Sequence, residues 1–155
     1  MSTQRQILLC RHAHADPGTD DRARALSSIG QAQARRAGDW LSQHLNTPIK
    51  LLCSPSIRTQ QSADLLAEKL TITERISVDS IYEGSVATLL EVLETHGGDV
   101  MLVGHNPGFE ALLAFLCTGQ SGSFRGMSPG SIAWVSVQIG DLSPGSARLQ
   151  HFHSA

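Results

Sequence analysis

Short, unbroken apolar runs alternate with amphipathic stretches along this chain. Ile7-Leu8-Leu9-Cys10, Leu51-Leu52-Cys53 and Val100-Met101-Leu102-Val103 have the texture of strands buried on both faces of a sheet. After the first run, residues 16–25 are polar, carry Pro17 and Gly18, and read as a loop long enough to form a functional surface. Ser27 then caps an expected helix over 27–46, where Ala34, Ala37, Leu41 and Leu45 recur at spacings of three and four and Pro48 ends the pattern. The second strand, 50–53, leads into Ser54-Pro55, read as an N-cap with proline at the first helical position, and a helix to about residue 70. Residues 76–82 alternate and read as a third strand. Ser85 starts a helix with Leu89, Leu90 and Leu93 inward and Gly97 closing it. Residues 99–104 form the fourth strand. Asn106-Pro107 repeats the cap-then-proline signal before a helix to about 117, whose buried side is Phe109, Leu112, Leu113 and Leu116. The Gly/Ser-rich stretch 119–130 reads as a mobile loop. Strands over 131–140 and 148–153 are joined by a turn through Asp141, Pro144 and Gly145, a connection too short for anything but an antiparallel pair. The pattern predicts an α/β fold with a mixed sheet.

Composition narrows the classes of function. A chain of 155 residues, 41% hydrophobic and 17% charged, suits one domain with an ordinary core. The net charge of -2 offers no basic face for nucleic acid or an acidic membrane. No apolar run approaches the roughly 20 residues needed to span a bilayer, and the N-terminus lacks the long apolar stretch of a signal peptide. Three cysteines, an odd number with no Cys-x-x-Cys pair, are read as small core hydrophobes of a soluble cytoplasmic protein.

The candidate chemistry sits where the apolar runs end. Arg11-His12 follows the first run, Ser54 and Arg58 follow the second, and Gly104-His105 follows the third. Ligands of an open α/β sheet bind outside the carboxyl ends of its strands, and helix N-termini there attract anions. Arg11 and Arg58 each offer a planar fork for phosphate oxygens, and His12 offers a neutral nitrogen able to attack phosphorus. Guanidinium charge nearby disfavours a cationic imidazole and stabilises the transferring group. His105 is then a donor to the phosphate or an orienting partner.

These residues also resemble a family. Leu9-Cys10-Arg11-His12 is similar to the Arg-His-Gly signature of the histidine phosphatase superfamily, the phosphoglycerate mutase-like group. Leu26-Ser27-Ser28-Ile29-Gly30, Ser54-Pro55-Ser56-Ile57-Arg58 and Gly104-His105-Asn106-Pro107-Gly108 match its later motifs in order. The short length and the Arg24-Ala25-Leu26-Ser27 stretch most resemble the compact SixA-type phosphohistidine phosphatases. The resemblance implies one domain over residues 1–155, folded as a three-layer α/β/α sandwich with a mostly parallel mixed sheet and a C-terminal antiparallel strand pair. It implies that His12 becomes phosphorylated, that Arg11 and Arg58 bind phosphate, that His105 is the second histidine of the pocket, and that Arg24 contacts substrate. No cofactor is implied. The expected partners are a histidine-phosphorylated signalling protein and a phosphate or sulfate anion in the pocket. Ala13 departs from the family's usual glycine after the first histidine. Glu83, just after the third strand, is the local candidate for a general acid, and near the Ser85 helix it also reads as a favourable N-terminal carboxylate.

Other readings stay beside this one. A small-molecule phosphomonoesterase of the same superfamily would need a working acid at Glu83, and a phosphate-reading adaptor would bind without turnover. A metal site at His12, His14 and His105 is opposed by the charges of Arg11 and Arg58. Cys53 and Arg58 are separated by four residues, one short of a cysteine phosphatase loop. His151 and His153 alternate on the last strand and are expected on one exposed face.

Overall fold

In the computed structural model, which describes residues 3–120 and 122–155, the apolar runs become the centre of a six-stranded sheet. The strands are β1 (Gln4–Arg11), β2 (Ile49–Cys53), β3 (Ile72–Ser77), β4 (Val100–Gly104), β5 (Ile132–Gln138) and β6 (Arg148–His153). They lie in the order β3-β2-β4-β1-β5-β6. β1, β2, β3 and β4 pair in parallel, whereas β5 runs antiparallel to both β1 and β6.

The period of two within each run divides it between two cores. Ile7, Leu9 and Leu102 face helices α3 (Val86–Thr95) and α4 (Gly108–Thr118), where Leu89, Leu93, Phe109, Leu112 and Leu113 complete one cluster. Leu8, Cys10, Met101 and Val103 face α1 (Ser28–His44) and α2 (Ile57–Ala67), where Ala37, Leu41, Ala63 and Leu66 complete the other. Helices on both faces make three layers, the expected α/β/α sandwich.

Local signals explain most element ends. Ser27 and Ser85 cap α1 and α3, accepting from the amides of Gly30 and Thr88. Four expectations are corrected. The third strand lies earlier than 76–82: residues 79–81 form a 3-10 turn, and Ile81 is buried because that turn folds inward. Ser54 does not cap α2; Ser56 does, accepting from the Thr59 amide. Pro107 precedes α4 as its cap residue, after a cis Asn106-Pro107 peptide, rather than occupying the first helical position. The left-handed residue beyond α3 is Gly98 (φ 79), not Gly97.

The 119–130 stretch includes Ser121, which lies outside the described residues. Its far end is fastened: Met127 is buried in the core and its backbone is hydrogen-bonded on both sides. His151 and His153 do share a face, on which His151 is exposed and His153 half-buried. Trp40 of α1 stacks on His44 and His153, and Trp134 meets His151 edge-on.

Candidate functional site

Strand register assembles the site. Arg11 of β1 is level with Gly104 of β4, and Cys53 of β2 is level with Val103 of β4, so the next residues, His12, Ser54 and His105, emerge together at the carboxyl edge. The His12 amide donates to the Gly104 carbonyl at 2.9 Å and the Ser54 amide to the Val103 carbonyl at 3.1 Å, extending the ladder to that edge. Arg58 arrives from the first turn of α2. Arg11, His12, Arg58 and His105 line a cavity of about 460 Å³ with Asp21, Arg24, Tyr82, Glu83 and Asn106, and Ser54 is buried behind His105.

His12 is held with one nitrogen committed and one open. Its Nδ1 lies 2.7 Å from the Ala13 carbonyl, which accepts only from a protonated nitrogen, so Nε2 carries the lone pair. Arg58 Nε donates to that Nε2 at 3.4 Å. The His12 and His105 rings are 5.2 Å apart, centroid to centroid. His105 is buried; its Nε2 meets Ser54 Oγ at 2.8 Å and its Nδ1 meets Arg58 Nη2 at 3.4 Å. Burial is the first cause that lowers His12 to about 4, followed among the lowering influences by the charges of Arg58, Arg11 and Arg24, while the bond to Ala13 opposes the shift. Burial likewise pushes His105 down to about 3, helped by His12, Arg58 and Arg11 and opposed by Asp21. Guanidinium charge acts at His12 in the expected direction but is secondary to desolvation.

Arg58 is nearly enclosed and ties the site together. Its Nη1 donates to the Asp21 carbonyl at 2.6 Å and its Nη2 to Asp21 Oδ2 at 3.0 Å. Asp21 Oδ2 also accepts from the Tyr82 hydroxyl, and Asp21 Oδ1 from Arg24 Nη1 at 3.1 Å. The Tyr82 bond first, then Arg58 and Arg24, holds the Asp21 carboxyl well below the usual carboxylate range. Arg24 thus lines the cavity paired with Asp21. Arg11 donates from Nη1 to the Met127 carbonyl at 2.7 Å. Glu83 stands exposed at the rim, with its backbone in the left-handed region at φ 56.

Neighbouring residues explain the motif's departures and constraints. Ala13 is buried beside Leu26 and Ala34, and its amide donates to Ser62 Oγ at 3.0 Å, so the extra methyl has a place away from the cavity. Gly30 is needed where it stands, because a Cβ there would lie 1.9 Å from the His14 carbonyl oxygen. His14 itself is exposed and meets Ser27 Oγ at 2.7 Å. Among the described residues, no group of three or more His, Cys, Asp or Glu could hold a metal ion, and no helix is long and apolar enough to cross a membrane. Cys53 is buried in the core with its thiol pushed up to about 12, unlike a nucleophilic cysteine.

Asp21, Tyr82, Ser54 and Asn106 were absent from the sequence-derived site. Asp21 lay in the loop already suspected of function, and its i,i+3 spacing to Arg24 was a usable signal. Ser54 has the sequence context of a helix cap, which hides its bond to His105. Tyr82 follows the 3-10 turn instead of ending the third strand, which stops at Ser77.

Known proteins resemble this chain in sequence and fold. The model of the histidine phosphatase superfamily (branch 1) matches residues 7–79. The chain is 36% identical over 116 residues to a phosphohistidine phosphatase SixA homolog of Haemophilus influenzae, a match covering 65% of this chain and 70% of the relative. A protein assigned as phosphohistidine phosphatase SixA from Nakamurella multipartitia superposes with a TM-score of 0.85 at 26% identity, over 98% of this chain and 96% of that one. The protein histidine phosphatase SixA complexed with tungstate superposes with a TM-score of 0.77 at 22% identity, over 96% of each chain. A His12-centred cavity at the carboxyl edge of the sheet, the motif match and the Haemophilus relative agree: the chain belongs to the histidine phosphatase superfamily.

Proposed function

We propose that the protein is a cytoplasmic phosphohistidine phosphatase that moves the phosphoryl group of a histidine-phosphorylated signalling protein onto His12 and then to water. The observation that carries this reading is the open Nε2 of His12, uncharged at neutral pH and flanked by Arg58. In the first step the Nε2 lone pair forms a bond to phosphorus as the substrate's P–N bond breaks. The electron pair of that bond returns to the substrate imidazole, which leaves neutral because its other nitrogen carries the proton. In the second step a water oxygen attacks phosphorus, the P–Nε2 bond breaks with its pair returning to His12, and inorganic phosphate departs with a water proton released.

Arg11 and Arg58 hold the equatorial oxygens through charge-assisted bonds that strengthen as charge develops. His105 adapts through Ser54. The Ser54 hydroxyl either accepts from or donates to Nε2, so Nδ1 serves as acceptor for Arg58 in the resting site or as donor to a phosphoryl oxygen. An imidazole is a better leaving group than an alkoxide, so this step does not need a dedicated acid. The exposed rim at Asp21 and Glu83 admits a histidine carried on another protein's surface. The names of the Haemophilus and Nakamurella relatives support the substrate class, and the tungstate complex supports a tetrahedral anion in the pocket.

The test is phosphate release from phosphohistidine proteins, sugar phosphates and an aryl phosphate, with acid-free quenching to trap the enzyme intermediate. The expected result is turnover of the phosphohistidine proteins with label on His12, and neither label nor turnover in His12→Ala. Binding without label or release would make the protein an adaptor instead.

A further inference from the structure

We propose that Glu110 is a positioning residue that sets the Arg11 guanidinium for phosphate, acting through the Met127 backbone; this rests on the reading of the His12 cavity as a phosphate site. Glu110 lies in the first turn of α4. Its Oε1 accepts from the Met127 amide at 2.7 Å and from Asn106 Nδ2 at 2.8 Å. Asn106 Nδ2 also donates to the Met127 carbonyl at 3.0 Å, while Asn106 Oδ1 accepts from the Glu110 amide at 3.3 Å. The two peptides that flank the Met127 Cα are thus each held, one by its N–H and the next by its C=O, and the Met127 side chain is sunk in the core.

The Met127 carbonyl then receives Arg11 Nη1 at 2.7 Å. This is the guanidinium's only hydrogen bond among the described residues, and Arg11 Nε is buried without a partner. A fixed carbonyl orients a guanidinium without neutralising it, and the Glu110 carboxylate, whose field also reaches Arg11, sits behind Met127 rather than in the ligand's place. A carboxylate in the same place would orient it and compete with the ligand, as Asp21 does at Arg58. The end of the Gly/Ser-rich stretch therefore acts as a rest for one of the two phosphate-binding arginines, with Glu110 and Asn106 as the clamp.

Calorimetric titration with inorganic phosphate tests the clamp. Glu110→Ala is expected to weaken phosphate binding about tenfold, since misplacing a binding group by an ångström has effects of this order or larger. Glu110→Gln, whose amide oxygen can still accept from Met127, is expected to stay within about twofold of the unmutated protein. In an Arg11→Ala background, adding Glu110→Ala should change affinity less than about twofold, because the route through Arg11 is already gone. If Glu110→Ala does not fold, Glu110→Asp, one methylene too short to reach Met127, is read by the same criteria. Unchanged affinity in Glu110→Ala, failure of Glu110→Gln to restore it, or a full loss that persists without Arg11 each overturns the proposal. Absence of phosphate binding by the unmutated protein would instead overturn the phosphatase reading itself.

Discussion

Arg58 and Arg5 are both almost fully buried, 5% and 8% exposed, at opposite ends of the central strands. The cavity beside Arg5 is the larger, about 560 Å³ against about 460 Å³. Yet Arg5 gives its Nη2 and Nε protons to the His96 and Gly98 carbonyls, each at 2.5 Å. It finishes the end of α3 and ties it to β1. Arg58 spends two bonds on Asp21 and turns its Nε and Nη2 toward two imidazoles. Cavity size does not separate a structural end from the candidate reactive one. What separates them is whether the buried cation's partners are fixed backbone or groups that can exchange protons and ligands.

Exchanging the two arginines' fates is the strongest way to break this comparison. Arg58→Ala is expected to lower kcat/KM by about 10²- to 10³-fold, the range for losing a donor to developing charge, with a smaller change in Tm. Arg5→Ala is expected to cost about 2–3 kcal/mol by leaving two carbonyls without a charged donor, seen as a lower denaturation midpoint, while kcat/KM of the folded protein stays unchanged. A reversal of this pattern would place function at the wrong end.

The next effect is on pH dependence. Because His12 sits at about 4 rather than 6.5, kcat/KM should hold through mildly acidic pH and fall along an acid limb near 4. Arg58→Gln should move that limb upward, although not to 6.5, since burial is the larger cause. Stability has the matching sign. Between 6.5 and the lowered values the unfolded chain takes up protons that folded His12 and His105 do not, so Tm falls as pH drops through that window. His12→Ala should flatten part of that slope in thermal melts.

Smaller effects sharpen the picture at the rim. Asp21→Asn removes the carboxylate that shares Arg58, and inorganic phosphate should inhibit about threefold to fivefold more strongly, as expected for relief of like-charge repulsion at a partly solvated site. Glu83→Gln should change phosphohistidine turnover less than about threefold, because the imidazole leaves without a donated proton. A large loss confined to the aryl phosphate would favour the monoesterase reading.

Much of this was legible before any coordinates. Runs such as Val100-Met101-Leu102-Val103 are apolar at every position, so they announce strands covered on both faces, and Ser27 and Ser85 announce helix starts through bonds to their own neighbours. The errors share a cause. Residues 76–82 alternate like a strand, but Ile81 is buried by a turn whose place depends on Phe109 and Leu89 packing beside it in the same core. Ser54 has a cap's sequence context, but β2 carries it against His105, 51 positions away in the chain. A local pattern cannot distinguish a hydroxyl bound to the next turn from one bound to another strand.

By itself the sequence determined most of the elements and the α/β class, because periodicity and capping are properties of neighbouring residues, and its family resemblance implied the three layers and marked Arg11, His12, Arg58 and His105 as candidates. Only the tertiary structure decided that Asp21 and Tyr82 close on Arg58, that Met127 supports Arg11, and that desolvation outweighs charge at His12. Those depend on which distant side chains share a volume that excludes water, and burial of that kind is created only when β1, β2 and β4 come into register.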